Sequence, residues 1–284
     1  MTTATDPLCA LLRPERLTAV VDIGANPIDS DPPYKKMLLN RLCTLVGFEP
    51  QEAGLTKLNA SKSDLETYLP YAVGDGAKGV LKICHAPGMT SLLTPNPRVL
   101  ECFPAFATFG RVIQEVPIDT RTLDSIAEID HLDFLKIDVQ GSELSVFRHG
   151  RTRLAQAVVI QSEISFVPLY KDEPVFGDID LALRSLGFVP HMFDKISKRM
   201  ILPLHFSDNL YGSINQLLEA DIVYVRDFTQ ADKMSDEQLK HLALIAHHCY
   251  SSYDLAARSV HVLAGRGKIA ADGLAQYLAI LGKK

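Results

Sequence analysis

The stretch Leu17–Asn26, LTAVVDIGAN, decides the fold. Leu17 to Val21 is short and mostly apolar, as a buried strand requires, and it runs into Asp22 and a turn containing Gly24. A strand ending in Asp-Ile-Gly-Ala-Asn brings backbone N–H groups and a carboxylate to the carboxyl edge of a parallel sheet. Nucleotide-like ligands bind at that edge. The segment Thr44–Pro50, TLVGFEP, repeats the logic: an apolar strand, then an acid. Glu49 lies 25 positions after Gly24, near the ~20-residue spacing of a carboxylate that takes ribose hydroxyls. In this order the two signals indicate a Rossmann-like cofactor fold.

Outward from this stretch, apolar runs alternate with helical patterns from about residue 17 to 226. The expected strands are 17–22, 43–48, 67–73, 112–118, 133–139, 157–164, 187–193 and 221–226, and 33–42, 50–61, 142–150 and 175–186 are long enough for crossover helices. Runs such as AVVIQSEI and DFLKIDV suit strands covered on both faces. The alternation predicts an α/β fold, a doubly wound and mostly parallel sheet with right-handed crossovers, over residues 1–229. Residues 77–111 interrupt it with a strand, GVLKI, and the Pro/Thr/Ser-rich PGMTSLLTPNPRVL. A substrate lid and an ordinary surface connection both fit this insertion. Residues 230–284 read as a C-terminal helical appendage: Leu239, Leu242, Ile245, Ala246 and Cys249 follow helical spacing, as do Leu274, Tyr277, Leu278 and Leu281. Residues 253–264 supply a further helix, ended by Gly265 and Gly267. These stripes must bury against the main domain or against a second copy in a homo-oligomer.

Composition narrows the function. With 47% hydrophobic and 22% charged residues, the 284-residue chain has the means for a packed core. A net charge of −5 leaves no basic excess to neutralise phosphates, which argues against nucleic acid as the main partner. No apolar run reaches the ~18 residues of a membrane span. The beginning, MTTATDPLCALLRPERL, lacks the basic region and apolar core of a signal peptide, and the five scattered cysteines suit reduced thiols, so a cytoplasmic location is expected. No Cys/His set has zinc spacing. His247 and His248 are neighbours on a helix and diverge by ~100°, so no metal site is expected.

The most specific motif is Asp133–Glu143, DFLKIDVQGSE. Taken with Val21–Asn26 (VDIGAN), Phe48-Glu49-Pro50, Arg121–Asp124 (RTLD) and Gln161-Ser162-Glu163, it resembles the FkbM family of S-adenosylmethionine-dependent methyltransferases, in order and spacing, over roughly residues 17–195. The resemblance implies a class I methyltransferase fold, S-adenosylmethionine as cofactor, and O-methylation of a hydroxyl on a sugar or natural-product acceptor. It places Asp22 toward the amino-acid part of the cofactor, Asn26 among the cofactor-binding residues, Gly24 in close backbone approach, Glu49 on the ribose diol, Gly74 and Asp75 by the adenine, and Asp138 nearest the transferring methyl. For Asp75, a plain turn in VGDG is an equal reading; Glu143 reads as a helix start, and Lys136 as a side chain that snorkels or pairs with an acid near the sheet edge. Two departures stand out. Pro27-Ile28-Asp29 replaces a second glycine and reshapes the first turn, with Asp29 or Ser30 toward the methionine end. Gln140 stands where the family usually has Glu.

A hydroxyl must lose its proton to be methylated, and a carboxylate or imidazole at the strand ends can take it. Asp138 and Glu163 are the expected catalytic pair, with His205 as an outsider. Pro87–Phe109 and Asn209–Gln216 are the expected acceptor-contact segments. Two other readings compete: a nicotinamide dehydrogenase, which lacks the further glycines pyrophosphate needs, and a degenerate methyltransferase fold acting as a binding protein through its helical tail.

Overall fold

A computed structural model describes residues 6–26, 31–204 and 209–282. The strands are β1 Thr18–Ile23, β2 Cys43–Phe48, β3 Glu66–Leu69, β4 Ala72–Val73, β5 Lys78–Cys84, β6 Val112–Arg121, β7 Phe134–Ile137, β8 Val159–Ser165, β9 Phe188–Lys198 and β10 Leu217–Arg226. The helices are α1 Pro7–Leu12, α2 Lys35–Leu39, α3 Glu52–Ser61, α4 Pro97–Leu100, α5 Phe106–Phe109, α6 Glu143–Arg148, α7 Arg151–Leu154, α8 Phe176–Ser185, α9 Asp236–Cys249, α10 Tyr253–Gly265 and α11 Gly273–Leu281.

Seven strands form one sheet in the order β3-β2-β1-β7-β8-β10-β9. β1 runs parallel to β2 and β7, β2 to β3, and β7 to β8, while β10 runs antiparallel to β8 and β9. The expected doubly wound, mostly parallel sheet is therefore present. Strand order reverses between β1 and β7, so a crevice opens over their carboxyl ends. Both faces are covered. Val20, Phe134, Val159 and Val223 share a core with Tyr34, Met37 and residues of α1, α9, α10 and α11. Val21, Ile23, Leu135, Ile137 and Ile160 pack on the other face with Leu144, Phe147, Ile179 and Leu183.

The stripes of the C-terminal helices lie in the first of these cores, with Leu239, Leu242, Ile245, Ala246 and Tyr277 buried. Their burial therefore needs no second copy of the chain; Leu278 faces solvent. A capping box starts α9: Ser235 Oγ accepts from the Gln238 amide at 3.1 Å, and Gln238 Oε1 accepts from the Ser235 amide at 3.0 Å. Among the described residues, no helix is long and apolar enough to cross a membrane.

The single strand expected over 67–73 is two. β3 joins the large sheet and β4 leaves it for a three-stranded sheet, order β4-β6-β5, with Pro70 between them unable to donate to a ladder. The segment 112–118 likewise belongs to this second sheet, because β6 pairs antiparallel with β5 over its length. The insertion folds on a core of its own, in which Cys84, Met89, Leu100, Phe103 and Phe106 meet Tyr170 and Leu218.

Candidate functional site

Close backbone packing sets the crevice floor. The Gly24 and Ala25 amides both donate to the Phe48 carbonyl, at 3.1 and 3.0 Å, and the Asp138 amide donates to Ile23 at 3.0 Å. Gly24 has φ +82°, and a Cβ there would lie 2.1 Å from the Asp138 carbonyl oxygen. Glycine is required by conformation and by space. The same turn thus fixes the end of β7 beside the end of β1.

Asp22 is 1% exposed. Its register partner on β7 is Lys136, whose Nζ donates to Asp22 Oδ1 at 3.3 Å, while the Tyr34 hydroxyl donates to Oδ2. Burial raises the Asp22 pKa, against the pull of Lys136 and Tyr34. For Lys136, burial disfavours the charge, but Asp22, Asp138 and Asp221 outweigh it and the ammonium is held protonated. The carboxylate of Asp22 is thus engaged inside the protein, and the pairing expected of Lys136 is this one. Tyr34 was not visible as a partner in the sequence, being a buried aromatic brought in by the turn before α2.

Glu49 ends β2 and is 4% exposed. Its Oε1 accepts from the Gln51 amide at 2.7 Å, and no described residue donates to Oε2. Burial raises its pKa, with the Gln51 amide opposing. Asn26 is brought to the same place: a Cβ on Gly54, in the first turn of α3, would meet Glu49 Cγ at 2.9 Å and Asn26 Nδ2 at 3.0 Å. Gly54 leaves the room that these two side chains occupy. A glycine inside a helix costs about 1 kcal/mol relative to alanine, and that placement was the signal in the sequence. Asp75 lies apart: its Oδ1 accepts from the Ala77 amide at 2.9 Å and from Thr120 Oγ1 at 3.2 Å, which makes it the residue that closes the Gly74–Ala77 turn. Gly74 packs on Thr120.

Asp138 and Glu163 do come together. Gln140 lies between them, its Nε2 donating to Asp138 Oδ1 at 2.8 Å and to Glu163 Oε2 at 2.6 Å. Glu163 is half-buried, and its pKa is raised well above the ordinary carboxylate value by burial and then by Asp138, Glu219, Glu143 and Asp221. Glu143 starts α6, accepts the Val139 amide at 2.9 Å, and is pushed up to about 8, chiefly by burial. Oxygens of Asp138, Glu143 and Glu163 lie within 4.8 Å of one another, the spacing of a cation site. The Gln140 amide, however, already bridges the first and third. Asp221, opposite Glu163 in register, is raised to about 6 by burial and by Asp138. Pro27, Ile28, Asp29, Ser30 and His205 lie outside the described residues. Other histidines are elsewhere: His191 Nε2 is 2.7 Å from Ser252 Oγ, and His149 Nδ1 is 2.9 Å from its own helix's Ser145 carbonyl.

Residues 22–190 match the Methyltransferase FkbM domain. The chain belongs to the FkbM family of methyltransferases. The methyl donor of the family is S-adenosylmethionine, and this settles the enzyme reading against the dehydrogenase. Comparison with curated proteins finds no match in sequence. Among solved structures, the chain is similar to magnesium protoporphyrin IX methyltransferase of Synechocystis PCC 6803 with bound cofactor, at 9% identity and TM-score 0.38, over 78% of this chain and 76% of that one. It is also similar to precorrin-6y C5,15-methyltransferase of Geobacter metallireducens, at 9% identity and TM-score 0.34, over 77% and 85%. Likenesses this distant carry no argument about substrate.

The residues present fit the cofactor. Glu49 keeps one acceptor oxygen without a donor among the described residues, as a carboxylate for a diol must. Asp138, Glu219 and Asp221 face Glu163 at the strand ends, a cluster of acids whose ionisation a nearby sulfonium cation would favour.

Proposed function

We propose that this family member methylates a hydroxyl of a small-molecule acceptor, a sugar or natural-product alcohol, with Glu163 and Asp138 as the groups that receive the hydroxyl proton. The observation that carries the reading is the pair of carboxylates at adjacent strand ends, joined through one amide. In the cofactor half, Glu49 would take the ribose hydroxyls, Asn26 beside it would orient the same end, and Gly24 would give the backbone approach. Asp22 would act through Lys136 and the shape of the turn rather than by contact. Gly74 and Asp75 would border the adenine as a rigid turn.

When bound, the cofactor supplies a methyl group already activated by its positive sulfur. The protein's task is then to align the hydroxyl and accept its proton. A carboxylate raised by burial and by neighbouring acids is a stronger base than one in water, and Glu163 has both influences. For the acceptor, a cavity of about 560 Å³ beyond the end of β8 supports a bulky, largely apolar molecule. Phe166, Met200, Ile201, Leu204 and Ile214 line it with Arg199, which also stands over the Phe106 ring of the insertion. Asn215 and Gln216, within the segment expected to contact the acceptor, contribute as well.

The test is release of S-adenosylhomocysteine from purified protein incubated with the donor and a panel of sugars and polyketide alcohols. Turnover on an alcohol, lost in both Asp138→Asn and Glu163→Gln, supports the reading. Turnover unaffected by either variant sinks the assignment of the base. Binding of the donor with no transfer to any alcohol, amine or thiol would favour a binding protein.

A further inference from the structure

Gln140 has an unusual backbone for its residue type. Its φ is +53°, and Gly141 follows at +97°. Non-glycine residues rarely adopt the left-handed region, and where they do the surroundings over-determine it. Here the backbone carbonyl of Gln140 accepts from Ser91 Oγ at 2.6 Å, which ties the loop to the insertion. The turn folds the side chain back between the two carboxylates.

The amide orientation is fixed by chemistry. Nε2 faces one oxygen each of Asp138 and Glu163, acceptors in their ionised forms, and Oε1 lies 3.3 Å from the Tyr170 hydroxyl, which also reaches the Met89 carbonyl at 3.1 Å. The reverse orientation would set a carbonyl oxygen against two carboxylates. We infer that Gln140 is a positioning residue: its amide clamps Asp138 and Glu163 side by side as acceptors and favours the ionised form of Glu163, the form a base requires, over the protonated one. This inference rests on the proposed role of Glu163 only for its catalytic consequence; the electrostatic effect stands by itself.

The opposing influences on Glu163 all point one way. Asp138 from β7, Glu143 from α6, and Glu219 and Asp221 from β10 favour its protonated form, as does burial. Lys136 is committed to Asp22, Glu173 to Ser165 and the Tyr170 amide, and Tyr170 is a neutral phenol held high by burial. The Gln140 amide donates to both members of the pair. A hydrogen bond to the charged form lowers a carboxylate's pKa. A carboxylate at position 140 would do the reverse, adding a third acid with no donor.

The experiment is a pH titration followed by infrared spectroscopy on protein labelled with ¹³C at glutamate carboxyls, with the Glu163 signal identified by its loss in Glu163→Gln. In Gln140→Leu, of similar volume, the Glu163 midpoint is expected to move up by about 1–2 pH units, the size of one lost charge-assisted hydrogen bond. Gln140→Glu should move it upward at least as far, and Tyr170→Phe, which frees Oε1, by less. A midpoint unchanged in both position-140 variants, each retaining native circular dichroism, overturns the inference. Turnover, once an acceptor is found, supplies the second readout. A clamp shifts the acid limb of the kcat profile to higher pH and leaves donor affinity unchanged, whereas a merely structural residue depresses kcat at all pH values. Absence of methyl transfer by the wild type would count against the proposed reaction and leave the titration to decide the role of Gln140.

Discussion

The Glu143→Gln substitution measures what a buried acid does to this fold. Glu143 is 4% exposed and its pKa rises from 4.5 to about 8, with burial the largest cause and Asp138 and Glu173 adding to it. Because the folded-state value lies above the unfolded one, the native protein holds a proton that the unfolded chain has released between those pH values. Stability therefore falls as pH rises from about 4.5 and stops falling above about 8. At 1.36 kcal/mol per unit, a rise of about 3.5 units corresponds to ~5 kcal/mol in full, and ~4 kcal/mol of it accrues between pH 5 and pH 9. Glutamine keeps the shape and still accepts the Val139 amide, but has no proton to lose. Guanidinium unfolding of wild type and variant at pH 5, 7 and 9 should show near-equal stability at the acid end. At the alkaline end the variant should be more stable by several kcal/mol. Parallel pH profiles for the two proteins would refute the reasoning, and would mean that Glu143 is ionised in the native state.

Three further outcomes are expected. Glu49→Ala should weaken S-adenosylmethionine binding by at least tenfold, about 1.4 kcal/mol, in calorimetry, with Glu49→Gln intermediate; equal affinities would remove the diol from Glu49. Gly24→Ala should destabilise the fold by about 3 kcal/mol, read as a drop in denaturant midpoint, since its Cβ would lie 2.1 Å from a backbone oxygen; a midpoint like the wild type's would contradict the geometry. Asp133, 2% exposed, accepts from Arg16 Nη2 at 2.9 Å and the Ala19 amide at 2.8 Å, so Asp133→Ala should cost about 3 kcal/mol in the same assay, and a change under about 1 kcal/mol, the scale of an exposed pair, would show the bridge to be ornamental.

What was legible in the sequence was whatever a strand shows locally. Val20 to Ile23, Cys43 to Phe48 and Phe134 to Ile137 are covered on both faces, so they read as apolar runs ending in an acid, and Asp138 and Glu163 could be placed at adjacent ends without coordinates. The second sheet was not legible, because β6 is exposed or half-exposed at every position but Thr120 and nothing local names its neighbour. β9 and β10 run longer than their apolar segments for the same reason: antiparallel pairing carries on through residues such as Asp194 and Lys195 that face water. The contacts of Asp22 with Tyr34, and of Gln140 with Glu163, 23 positions away, depend on tertiary closure. A glutamine in place of a family glutamate reads in the sequence as a loss. In the structure it is a donor between two acids.

The packing of α9, α10 and α11 on the first-formed strands has a consequence for the order of events during synthesis. The core that buries Val20, Phe134 and Tyr34 also contains Leu242, Ile245, Val260 and Tyr277, and α1 packs against α9 and α11. While residues 18–226 are being made, one face of the sheet has no helical cover beyond α1 and α2. At translation rates of roughly 5–20 residues per second, that face waits several seconds for its last helices. Until α9, α10 and α11 have emerged, the nascent chain carries apolar sheet surface in the open, and their arrival, rather than sheet formation, completes this core.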